Sequence, residues 1–322
     1  MQVGCLAEIL SLHYFIPSTT SQHSYYIILL DLLPHPFLIK SFQMGLTNRE
    51  DLDIVQLVYY GIAIPLIAYL LFQHGFARQI GWLYLAVLAL LRIIGAATGI
   101  ASVKTPSEGL IETSLICTSV GISPLLLSLL GILGRLSQGM KGQGVSQRLE
   151  RLIHIPILVG LIMAIIAGTK EFSADASTRH DGYTMLKVAV LLYLVGLLAL
   201  AVVAFQTFRR KQFILDGEMR LLTVSILSLP FLLVRIIYSI ISAFSQGSNT
   251  FSIISDTNRA VIIQAIMSVL MEFSVVALFI AAGVTVRRIP REMVNNGYAE
   301  PPNYNNVAST KAPQEYPMAT AV

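Results

Sequence analysis

Three charged side chains stand inside otherwise apolar stretches: Arg92, Arg235 and Glu272. An ionised group at the centre of a bilayer costs several kcal/mol on insertion scales, so such residues face a bundle interior and find partners. Arg92 lies about twelve residues into its stretch, Arg235 about fourteen and Glu272 about eleven, which places all three roughly 16–21 Å from a membrane face by helical rise. Two cations and one carboxylate at one depth do not balance. Glu272 can neutralise one arginine, and the other guanidinium is left to meet water, a carbonyl or an anionic ligand group.

The stretches that carry these charges are polar along one side. Ser225, Ser228, Arg235, Ser239 and Ser242 fall within roughly 100° of one another on a helical wheel, with Tyr238 beside them and Pro230 expected to kink the helix. Gln264, Ser268 and Glu272 recur every fourth residue and make a second stripe. Serines so placed also serve plain helix packing, as small polar residues do between membrane helices. Glu112 lies just inside another apolar run, where desolvation favours a protonated carboxyl able to act as an acid, although a surface carboxylate fits the same position. Glu112 and Glu272 are thus the candidate acids, and Arg92, Arg235, Tyr238, Gln264 and Ser239 the candidate ligand-binding residues.

Other chemistries lack their residues. The chain has no Walker A loop, HExxH, GxSxG or DDxxD cluster, and Asp51 and Asp53 flanking one leucine do not make a metal site, so neither metal nor cofactor is expected. Cys5 and Cys117 form no disulfide framework, and His74, His154 and His180 lack metal or catalytic spacing. The basic residues sit in short loops rather than in a patch that would bind nucleic acid.

Helices long enough to cross a membrane must position the charges. Of 322 residues, 55% are hydrophobic and 12% charged, against about 25% charged in an ordinary soluble domain. The mean hydropathy is +0.70. Apolar stretches at 53–73, 80–102, 110–134, 152–169, 183–208, 221–244 and 261–286 are each about long enough to span a bilayer, the fourth being the shortest, and the short connections favour one antiparallel bundle. The expected fold is all-α, a bundle of about seven transmembrane helices. Thirteen lysines and arginines fall on one side of these spans and six on the other, which predicts an outer N-terminus and a cytosolic C-terminus. Trp82 and Tyr84 are expected in the aromatic belt at the cytosolic edge.

Residues 1–43 are read as a poorly defined extension with Met44 as an alternative start, 44–291 as the membrane domain and 292–322 as a disordered cytosolic tail. Leu91–Ile94 echoes Val234–Ile237, so spans one to three and five to seven can be read as a parallel repeat.

From Leu46 to about Arg288, with Asn48–Tyr60 leading into the bundle and an arginine in the second span, the chain resembles fungal seven-helix membrane proteins. It is similar among these to the membrane-bound terpene cyclases of meroterpenoid biosynthesis. That resemblance implies an endoplasmic-reticulum enzyme that protonates an alkene or epoxide of a hydrophobic prenylated aromatic and closes its terpenoid chain. Glu112 or Glu272 would then be the acid, and Arg92 and Arg235 would orient the head group. The alternative with the same topology is a receptor-like or small-molecule or lipid transport protein without catalysis.

Overall fold

The computed structural model describes residues 49–74, 80–105, 107–140, 147–173, 175–214, 218–245 and 258–286. The expected N-terminal extension and the C-terminal tail lie outside the described residues. Among the described residues the chain is helical, with no strand: α1 Arg49–His74, α2 Ile80–Lys104, α3 Glu108–Val120, α4 Ile122–Gly139, α5 Gln147–Glu171, α6 Ala176–Arg209, α7 Met219–Phe244, α8 Asn258–Gln264 and α9 Met271–Thr285. A short 3₁₀ turn, Lys211–Phe213, follows α6, and a π-helical segment, Ala265–Leu270, joins α8 to α9.

These elements make seven helices long and apolar enough to cross a membrane, because α3 with α4 forms one span and α8 with the π segment and α9 forms another. Each runs past its apolar stretch in the sequence. The fourth, expected to be the shortest, occupies Arg148–Glu171, since Arg148, Glu150 and Arg151 continue the helix beyond the apolar residues. Pro65, Pro156 and Pro230 lie inside helices that run through them. Neighbouring helices and side chains in a bundle re-satisfy the backbone groups that proline frees.

The third span is the hub. Its apolar window is 72% buried, against 28% to 56% in the other six, and α4 packs on α2, α5, α6 and α7. Contact is close where glycines meet. A Cβ on Gly131 would stand 2.6 Å from the backbone of Gly81, and one on Gly81 3.0 Å from the Ser128 carbonyl, so α2 and α4 cross backbone to backbone. Gly160 and Gly196 make similar room for Tyr193 and Ile157 between α5 and α6. Small residues at crossings of this kind let membrane helices gain dispersion contact in a solvent as apolar as their own side chains. Ile62, Phe72, Leu152 and Phe205 point outward, where an apolar exterior suits lipid.

One sequence expectation is corrected. Trp82 is 2% exposed and lies within the bundle, where a Cβ on Gly283 of α9 would stand 2.7 Å from the indole. The glycine leaves space for the ring inside, so Trp82 is a packing residue and not part of an interfacial belt.

Candidate functional site

Glu272, 1% exposed on α9, meets polar side chains from three other spans. Arg92 of α2 donates through Nε to Oε1 at 2.6 Å and through Nη2 to Oε2 at 2.7 Å, a two-point fork. Arg235 of α7 reaches Oε2 through Nη2 at 2.7 Å. The Tyr60 hydroxyl of α1 donates to Oε1. Three hydrogen bonds and the Arg235 ion pair therefore converge on one carboxylate and tie α1, α2, α7 and α9 together at a single depth. A bidentate guanidinium fixes carboxylate orientation as well as charge.

The rest of the cluster is built from backbone. Arg235 Nη1 donates to the Ser268 carbonyl at 2.9 Å and to its hydroxyl at 2.8 Å. Arg92 Nη2 also points to the Thr118 carbonyl at 3.4 Å. Both carbonyls lie where a span leaves regular α geometry. Ser268 is inside the π segment, and Thr118 comes just before Gly121, where α3 gives way to α4. Gly121 is required there by contact: a Cβ would stand 2.8 Å from the Arg92 guanidinium carbon and 3.2 Å from Nε. Irregular turns inside membrane helices occur where backbone groups line a polar site.

Aromatic rings flank the carboxylate. Tyr59 stacks on Phe273 with centroids 3.8 Å apart and donates to the Phe273 carbonyl at 2.8 Å. Tyr60 stands edge-on to both rings. Toward the start of α1, the Gln56 amide lies 3.5 Å from Asp53 Oδ1, and Asp53 and Ser114 each approach Gly99 of α2.

A family model described as Domain of unknown function (DUF7702) matches residues 46–289, a stretch that takes in every span and the whole cluster. The chain belongs to the DUF7702 family. No curated protein and no solved structure matches it, so no terpene cyclase is among the proteins found to be similar.

In this DUF7702 protein the sequence candidates separate. Arg92, Arg235 and Glu272 meet, and the two arginines of the Leu91–Ile94 and Val234–Ile237 echo share one carboxylate. Both guanidiniums are engaged, so the expected leftover cation takes the Ser268 carbonyl and hydroxyl with one arm and Glu272 with another. Gln264 and Tyr238 are buried, and Ser239 bonds the Arg235 carbonyl of its own helix at 3.2 Å. Glu112 is half-buried on α3, about 9 Å along the axis from Thr118 and so away from the cluster. Among the described residues no group of three His, Cys, Asp or Glu can hold a metal ion.

Sequence reasoning missed Tyr60 as a partner of Glu272, although Asp53, Gln56 and Tyr60 share one face of α1 at three- and four-residue spacing. It also took Arg135 only as a topology signal. The structure pairs Arg135 of α4 with buried Glu218, just before α7, at 3.3 Å. Burial pushes the Glu218 carboxyl up from its ordinary range, and Arg135 draws it partly back.

Proposed function

We propose that this protein is a small-molecule transport protein of the membrane, with the Arg92–Glu272–Arg235 cluster as its binding centre and an anionic or amphipathic molecule as its cargo. One observation carries the reading: the two spans that lose α-helical regularity, at Gly121 and at Ala265–Leu270, lose it beside this cluster. Interrupted helices around a site deep in the bilayer are the common construction of secondary transporters. Two guanidiniums against one carboxylate leave one positive charge, which suits a carboxylate or phosphate on the cargo. Glu272 already accepts three hydrogen bonds and pairs with two guanidiniums, so it is poorly placed to act as a proton donor to an alkene. The orientation that accompanies this reading puts the Asp53 end outside or in the lumen and the Glu218 end in the cytosol, on the excess of lysine and arginine there. Endoplasmic reticulum is the proposed membrane.

A second reading, the terpene cyclase implied by the sequence resemblance, draws support from the Tyr59, Tyr60 and Phe273 rings, whose faces suit a carbocation. Its acid would be Glu112. Purified protein in proteoliposomes, offered labelled fatty acids, organic acids and farnesylated phenols, separates the two. Transport predicts saturable accumulation of an unchanged compound, weakened when Arg235 becomes Met. An isomeric cyclised product by mass spectrometry, lost in Glu112→Gln, would replace transport with catalysis.

A further inference from the structure

The echo between Leu91–Ile94 and Val234–Ile237 has a counterpart in the packing. In the first three spans α1 packs on α2, and α2 on both α3 and α4; in the last three α6 packs on α7, and α7 on the π segment and α9. In each set the arginine of the second span reaches a carbonyl of the third, Arg92 Nη2 to Thr118 at 3.4 Å and Arg235 Nη1 to Ser268 at 2.9 Å. In each set that third span is the one that leaves regular α geometry. The sets also meet reciprocally, since the third span of each lies on the first span of the other, α4 on α6 and α9 on α1. One sequence pattern, one internal order and one reciprocal contact describe two like bodies, arranged as parallel repeats are, with α5 between them in the chain.

Two ion pairs cross between the bodies, and they are built differently. Deep in the bundle Arg92 of the first body grips Glu272 of the second through two hydrogen bonds, at 2.6 and 2.7 Å, and Tyr60 adds a third. At the start of α7, seventeen residues or about 25 Å by helical rise from Arg235, Arg135 of the first body meets Glu218 of the second. Here Arg135 Nε lies 3.3 Å from Oε1, long for a charge-assisted bond, and Oε2 has no hydrogen-bond partner although Glu218 is 5% exposed. A buried carboxylate oxygen left dry opposes the contact that holds it, and water would relieve it. The central pair is satisfied as it stands, whereas the Glu218 carboxylate gains hydration by opening.

We propose that spans one to three and five to seven are two bodies that move against each other about the Glu272 cluster, and that the Arg135–Glu218 pair is the latch that closes the seam between α4 and α7 on the Glu218 side. When the pair separates, the start of α7 leaves α4, and water reaches the face of α7 that carries Glu218 and, seven residues on, Ser225. Ser225 is fully buried in the closed arrangement. The latch rests on the transport reading, to which it supplies the gate on one side of the site.

The test uses the full chain in a Cys5→Ser/Cys117→Ser background, with Ser225→Cys as the reporter and Ala89→Cys as the control. Ala89 is buried on α2, which packs within the first body. A water-borne, membrane-impermeant thiosulfonate is added from the Glu218 side with no cargo present. Glu218→Gln should speed modification of the Ser225 cysteine by about tenfold, since a shift of the closed–open equilibrium multiplies the exposed fraction directly, and leave the Ala89 cysteine unchanged. Arg135→Lys, which keeps the charge and loses the Nε donor, is the second variant and should act in the same direction. Reversing the pair, Arg135→Glu/Glu218→Arg, should return the slow rate. A Ser225 cysteine that reacts no faster in either single variant, or an Ala89 cysteine that speeds up equally and so reports general loosening, overturns the proposal. Cargo movement is measured separately in proteoliposomes: transport with an unaltered thiol rate removes the latch and keeps the transport reading, and a responsive thiol without transport does the converse.

Discussion

Replacing Glu272 by glutamine keeps the shape of the side chain and removes its charge, which isolates the electrostatics of the cluster. With each guanidinium about 4 Å from the carboxylate and an effective dielectric of about 20, each arginine contributes roughly 4 kcal/mol of attraction. Two guanidiniums some 6 Å apart repel by roughly 3 kcal/mol. Glu272→Gln therefore loses both attractions and keeps the repulsion, whereas Arg235→Met loses one attraction and relieves the repulsion. After local relaxation the first change should cost about 3–5 kcal/mol, the usual penalty for breaking a buried pair, and the second about 1–2 kcal/mol. For a chain of this size that corresponds to a fall in Tm on the order of 10 °C against a few degrees. Arg92→Met, which removes the two-point fork, should fall between them. The assay is thermal loss of the monodisperse peak in detergent, by fluorescence-detected size-exclusion chromatography. An Arg235→Met protein less stable than Glu272→Gln, or a Glu272→Gln protein within about 2 °C of the native chain, would refute the reasoning.

Three further outcomes follow from the packing and the caps. Gly121→Ala should destabilise the native protein by about 2 kcal/mol because its methyl meets the Arg92 guanidinium, and it should be nearly silent in an Arg92→Met background, a double-mutant cycle read by the same thermal assay. Trp82, the single tryptophan of the chain, should show blue-shifted emission and resist quenching by lipids brominated along the acyl chain, and Gly283→Leu should displace it and restore quenching. Asp175 caps α6 by accepting from Ser177 and Thr178, bonds that hold its carboxyl at about 2 instead of 3.8. Because the folded value is the lower one, the cap's contribution is present above pH 3.8 and disappears as pH falls through about 2. The stability difference between the native protein and Asp175→Asn should accordingly be constant from neutral pH to about 4 and vanish near 2, measured by thermal unfolding across that range.

Much of the architecture is legible in the residues because the bilayer is a severe solvent. It demands about 20 apolar residues per crossing and penalises each charge left within them, so the seven spans and the depth of Arg92, Arg235 and Glu272 follow from composition along the chain. What a linear pattern lacks is the angle of each helix about its axis and the identity of its neighbours. Tyr60 reads as one aromatic among several until α1 is set against α9, and Trp82 reads as a belt residue until Gly283 is seen to leave space for it. The π turn at Ala265–Leu270 is similarly hidden, since the four-residue recurrence of Gln264, Ser268 and Glu272 describes a regular α-helix equally well. Only the tertiary structure decided that both arginines share one carboxylate and that Arg135 meets Glu218. The physical reason is that burial cost depends on a residue's own surroundings along the chain, whereas pairing depends on the register between helices far apart in sequence.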